Sequence, residues 1–192
     1  MKTKRAIPTP SLLTILGFGI LASCAAPSET NRKPVAYRGD SSLTETIHQD
    51  VNRLRASHGA GDLRRHAGLD KLATEHCEFL RKNRGKFSLY GKNVSHHGAE
   101  GRAVVAMRSL EMTSFSENVA WTMTGPSHAA TSHALITLWQ DSPKHRDAML
   151  EDEWTHTGVG AVVDADGSVF ATQIFATKSL SLMSTRDRFN QY

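Results

Sequence analysis

Apolar residues recur at helical intervals through the first half of the chain and alternate with polar ones through much of the second. Leu43, Ile47, Val51 and Leu54 share one helical face until Gly59 and Gly61 interrupt the run, and Ser42 with Glu45 forms an S-x-x-E capping box at its start. Leu69, Leu72, Ala73, His76 and Leu80 repeat the pattern and close in the basic run Arg81 to Arg84 before Gly85, the charge that a helix C-terminus favours. A loop rich in Gly, Ser and His spans Lys86 to Gly101. Beyond it, Ala103, Val104, Met107 and Leu110 predict a third helix, and Leu135, Leu138 and Trp139 lie on one side of a fourth, from about Ser127 to Asp141. Ser142 followed by Pro143 is an N-cap and first-position pair, so a short fifth helix starts there and runs to about Leu150.

Strand signals follow a period of two. Ser114 to Thr122 alternates, and Gly158 to Val163 and Val169 to Ala176 flank Asp164 to Gly167, where the Asp-Gly pair marks a hairpin turn. In the last strand Val169 and Phe175 lie on one face, Phe170 and Ile174 on the other. A strand apolar on both faces is covered on both. Helices first, a small sheet mostly late, and helices available for each face predict an α/β fold, a three-layer α-β-α sandwich around a small, mainly antiparallel central sheet.

The ends of the chain read differently. Met1 to Arg5 is cationic and leads into an apolar run, Ser11 to Ala22, too short to span a bilayer and consistent with a secretory signal. Leu21, Ala22, Ser23 and Cys24 resemble the lipobox of bacterial lipoproteins, which implies cleavage after residue 23, acylation of Cys24 and a membrane anchor. Ala25 rather than Asp at the next position suggests the outer membrane if the cell has one. The expected organisation is therefore a signal peptide at 1–23, a lipidated tether at 24–40, a domain at 41–177 and a polar tail at 178–192, from which Phe189 or Tyr192 could pack back.

Composition changes this picture little. The chain has 192 residues, 39% hydrophobic and 22% charged, enough for one globular core. Its net charge of +4 owes three units to Lys2, Lys4 and Arg5; the rest holds 20 basic against 19 acidic residues, so the basic balance gives only weak support for nucleic-acid binding, and no nucleic-acid partner is expected. With Cys24 modified, Cys77 has no intramolecular partner, and its helical position predicts a small buried side chain rather than a nucleophile.

Three segments carry candidate chemistry. Phe115, Glu117, Val119 and Trp121 share one strand face, so a carboxylate sits in an apolar row and needs a hydrogen-bond donor, a cation or a metal opposite it. His145 falls in the first turn of the short fifth helix, where the helix dipole disfavours the imidazolium. His96 and His97 are adjacent in a glycine-bounded loop, able to reach a cleft or to stand in solvent.

Taken together these segments are recognisable. Asn52, Arg53 and Arg55, the His96 to Arg102 loop, Ser116-Glu117-Asn118-Val119-Ala120, Trp139 with Ser142 to Arg146, Gly158-Val159-Gly160, and Gln173 with Phe175 occur in the order seen in bacterial CAP-superfamily domains, to which residues from Leu43 to Thr177 are similar. The resemblance implies the α-β-α sandwich and a cleft with two His and two Glu that holds zinc or another divalent ion in some members. On this chain it implies His96, Glu117 and His145 as metal ligands, with His97 the less favoured alternative to His96. The second glutamate is replaced by Ser142, with Asp141 beside it, which weakens metal affinity and any general-base role. The family does not fix an activity. The leading expectation is a lipid-anchored, non-enzymatic binding domain for a lipid, glycan or envelope component. A metal-dependent hydrolase of peptide or cell-wall material competes with it, against the absence of H-E-x-x-H and G-x-S-x-G. A purely structural role, in which the three side chains merely satisfy one another, is the third.

Overall fold

The structure is a computed structural model that describes residues 39–87 and 94–178; the leader, Cys24, most of the tether and the tail from residue 179 lie outside the described residues. Its elements in chain order are α1 (Ser41–Ser57), β1 (Arg64–Arg65), α2 (Ala67–Lys82), α3 (Ala99–Ser109), β2 (Met112–Met123), α4 (His128–Gln140), α5 (Pro143–Leu150), β3 (His156–Val163) and β4 (Ser168–Lys178). The sheet runs β1-β3-β4-β2. β4 pairs antiparallel with both β2 and β3, while the two-residue β1, which the alternation pattern does not reveal, pairs parallel with β3.

The two faces of β4 are covered as its sequence demands. Val169, Ala171 and Phe175 pack with Leu43, Ile47 and Val51 of α1, Leu135 and Trp139 of α4 and Met149 of α5. On the opposite face, Phe170, Ile174 and Ala176 meet Leu69, Ala73, Cys77 and Leu80 of α2 and Ala106 of α3. The result is the expected α-β-α sandwich. Cys77 is fully buried, its thiol donating to Thr172 Oγ1 at 3.4 Å, and burial pushes its pKa up to about 12, which makes it inert as a nucleophile.

The close approach of α2 depends on two glycines in β3. A Cβ added at Gly158 would stand 2.2 Å from the Leu69 carbonyl carbon, and one at Gly160 would stand 2.4 Å from that of Ala73. Backbone lies against backbone there, so no side chain fits. Asp70 fastens the contact, its Oδ1 accepting from the Val159 amide at 2.8 Å and from Arg65 Nε at 3.1 Å. Among the described residues no helix is long and apolar enough to cross a membrane.

Three details differ from the sequence expectation. The N-cap of α1 is Asp40 rather than Ser42: its Oδ1 accepts from the Leu43 amide at 2.9 Å, while its own amide is held by the Ala161 carbonyl at 3.0 Å. The tie to β3 fixes where the chain enters the helix, and Glu45 is left to pair with Arg65. The third helix begins earlier than its apolar residues suggest and turns them outward, Val104 and Met107 being 46% exposed and Val105 41%. Its inward face is set instead by Arg102 and Ala106, four residues apart. Leu138, expected in the core beside Leu135 and Trp139, is also 46% exposed.

Candidate functional site

β2 is an edge strand, and its middle carries the candidate chemistry. The Phe115-Glu117-Val119-Trp121 face is the α2 and α3 side, because Glu117 lies opposite Ile174 and Trp121 opposite Phe170. Glu117 is therefore buried, with only 4% of its side chain exposed. Its countercharge is Arg102. Nε donates to Oε2 at 2.9 Å and Nη2 to Oε1 at 2.7 Å, a fork-on-fork pair that engages both carboxylate oxygens. His96 Nδ1 adds a third bond to Oε1 at 3.0 Å. Burial alone would raise the Glu117 pKa, but the hydrogen bonds from His96 and Arg102 outweigh it and hold the carboxyl below its ordinary range.

Arg102 reaches this position because α3 starts at a left-handed Gly98, with φ of 78°, and because its Nη1 also donates to the His97 carbonyl at 3.0 Å. One guanidinium thus fixes both the carboxylate and the loop that bears His96. The neighbouring His97 is directed away, its ring stacked on Phe79 with centroids 5.2 Å apart.

His145 comes from the other side of the strand. Ser142 occupies the N-cap of α5 with Pro143 following, as expected, but its hydroxyl makes no capping bond. The start of α5 is held to the sheet by Asn118, whose Nδ2 donates to the His145 carbonyl at 2.8 Å. The ring of His145 stands 6.1 Å from that of His96, centroid to centroid, and none of the described residues hydrogen-bonds its nitrogens. Burial, and then the proximity of His96, lower its pKa, so the ring is neutral at neutral pH. Asp141 is exposed at the end of α4 and bonds none of these groups.

The sequence reading missed two members of the cluster. Arg102 was visible only as the last residue of a histidine-bearing loop. His76 occupies a helical core position, yet it is close enough to Arg102, Glu117 and His96 for their charges to act on it; burial and Arg102 push its pKa down to about 4. Its Nε2 donates to the Ser95 carbonyl at 2.8 Å, and its buried Nδ1 has no partner among the described residues.

Beside His145 a cavity of about 320 Å³ opens along the β2 edge. Val94, Val119, Ala120, Trp121, Leu138 and Trp139 form its apolar wall, and Ser142 and His145 its polar end. This volume lies in the range of small-ligand sites. The side chains do not fit a divalent ion as they stand. Among the described residues no three His, Cys, Asp or Glu side chains converge to hold one, and both oxygens of the only carboxylate in the cluster are bonded to a guanidinium.

Residues 48–175, about two thirds of the chain, match the family model described as the cysteine-rich secretory protein family, CAP. Among solved structures, the chain is similar to an outer surface protein from Borrelia burgdorferi, with 16% identity and a TM-score of 0.58 over 74% of this chain and 98% of that one. It is also similar to a cysteine-rich secretory protein from Staphylococcus aureus, at 18% identity and a TM-score of 0.53 over 77% of this chain and 42% of that one. An SCP-domain-containing extracellular protein from Bacillus anthracis matches at 22% identity and a TM-score of 0.50 over 71% and 41% respectively. The chain thus spans about two fifths of the length of the last two. These likenesses bear on the fold alone. No curated protein sequence matches the chain significantly.

Proposed function

The chain belongs to the cysteine-rich secretory protein (CAP) family, and from that premise we propose that it is an exported, lipid-anchored binding domain whose ligand enters the cleft at the edge of β2. The observation that carries this reading is the cavity itself: about 320 Å³ of apolar space that ends on a neutral imidazole with no hydrogen-bond partner among the described residues. At about 30 Å³ per water-sized group, it takes roughly ten such groups. That suits one short hydrocarbon segment of a lipid or envelope component, with a polar atom placed to bond His145 or Ser142.

Export is inferred from the leader and anchoring from the lipobox-like Leu21 to Cys24, and the outer-surface and extracellular descriptions of the structural relatives are in keeping with export. Binding is preferred to metal-dependent hydrolysis because the one carboxylate of the cluster is held through both oxygens by Arg102, and, among the described residues, no hydroxyl or thiol is hydrogen-bonded to either cleft histidine. Titration of the purified protein with envelope lipids, followed through the fluorescence of Trp121 and Trp139, tests the reading. Saturable binding with the ligand recovered intact is the expected result. Recovery of cleaved ligand, lost on His145→Ala, would favour the hydrolase instead.

A further inference from the structure

We propose that Arg102 serves in this chain as a built-in counter-cation to Glu117, and that it masks a latent site for a divalent ion made by His96, Glu117 and His145. Charge is the first argument. The cluster contains a single carboxylate, since Ser142 carries none and Asp141 is exposed and apart. One guanidinium makes this partly buried cluster neutral, whereas a divalent ion would leave an uncompensated positive charge.

Geometry is the second. Arg102 is no passing surface side chain: 12% of it is exposed, and three bonds of 2.7 to 3.0 Å hold it to both Glu117 oxygens and the His97 carbonyl. The two imidazoles, by contrast, are already close to a shared position. Zinc–nitrogen bonds of about 2 Å would set two ring centres roughly 5 to 6 Å apart around one ion, and His96 and His145 stand at 6.1 Å. As they stand the three side chains do not converge on one point, and the guanidinium occupies both carboxylate oxygens that a rearranged site would need. A full positive charge within about 4 Å of a divalent ion, at an effective dielectric near 20, opposes binding by more than about a hundredfold.

Zinc binding measured by calorimetry on the purified protein, Arg102→Gln, Arg102→Lys and the double variant Arg102→Gln/His145→Ala tests the proposal. The wild type and Arg102→Lys are expected to show no saturable binding that depends on His145. Arg102→Gln should gain one equivalent at more than about a hundredfold higher affinity, and the double variant should lose it. Stoichiometric zinc in the wild type that His145→Ala abolishes, or an Arg102→Gln variant no better than wild type, would overturn the proposal. Should Arg102→Gln fail to fold by circular dichroism, the NMR signals of the wild-type His96 and His145 rings at millimolar zinc decide the matter: unmoved signals support it, and saturable shifts overturn it.

Discussion

Glu117 shows what one residue in an apolar row can demand. Its strand position requires a partner, and Arg102 meets the requirement with two bonds. Replacing Glu117 by Leu leaves a guanidinium nearly buried and unpaired, which costs about 3 kcal/mol or more. Urea denaturation should show that loss, and Arg102→Leu/Glu117→Leu should recover much of it, because the cost lies in the orphaned charge. A double variant as unstable as the sum of its parts would mean that the two side chains act independently. The need for a partner could be read from alternation along the strand. The partner's identity could not, since Arg102 stands fifteen residues earlier on another element and meets Glu117 only when α3 docks. His76 was hidden for the opposite reason. Its spacing matches the buried face of α2, and only the tertiary placement of Ser95, Arg102 and Glu117 shows its ring to be part of the cluster.

Element positions were legible wherever burial and periodicity agree. α4 and α5 begin, and the β3-β4 hairpin turns, close to the positions that Ser127, Ser142-Pro143 and Asp166-Gly167 mark in the sequence, although of the two serines only Ser127 makes a capping bond. α3 broke the agreement. Its strongest apolar residues, Val104, Val105 and Met107, face outward because the helix is oriented by an ion pair rather than by its greasiest side. β1 is too short to carry any period, and its pairing is dictated by β3. The Gly158-Val159-Gly160 segment belongs to the family pattern, and packing supplies its physical cause. A methyl group at Gly160 would meet the Ala73 backbone, which no rotamer change can relieve, so α2 must move. Gly160→Ala is expected to destabilise the fold by about 3 kcal/mol, the upper part of the range for overpacking. An unchanged thermal midpoint would contradict the contact between α2 and β3. Gly61→Ala, in open space, is the matched control.

For the molecule as a whole, buried histidines tie stability to pH. Burial pushes His76 and His156 down to about 4, with Arg102 adding to the effect on the first and Arg64 on the second. Between their ordinary value of 6.5 and 4 the unfolded chain binds protons that the folded chain refuses. Stability is therefore full above pH 6.5 and falls as the pH drops toward 4, by a few kcal/mol in total. Below that, protonation of Glu117, whose carboxyl is held low, removes more. Urea midpoints measured across this interval should decline steadily; a flat profile would mean that both rings can take a proton in the folded state. The sandwich as a whole could be anticipated from helices on either side of a doubly apolar strand. The cavity could not, because it depends on Leu138 turning away from the core and on Val94 and Trp121 meeting across the edge of β2.

That cavity is the centre of the account, and Leu138 is the place to probe it. The side chain lines the cavity yet is 46% exposed, so Leu138→Glu should spoil the apolar wall with little cost to folding. The decisive measurement is tryptophan-fluorescence titration of the wild type and Leu138→Glu with the same envelope lipids. Saturable binding to the wild type is expected, with at least about tenfold weaker binding to the variant, because the ligand would bury a charge in an apolar pocket. Equal affinity for the two proteins, with their thermal midpoints matched, would place the ligand elsewhere and contradict binding in this cavity.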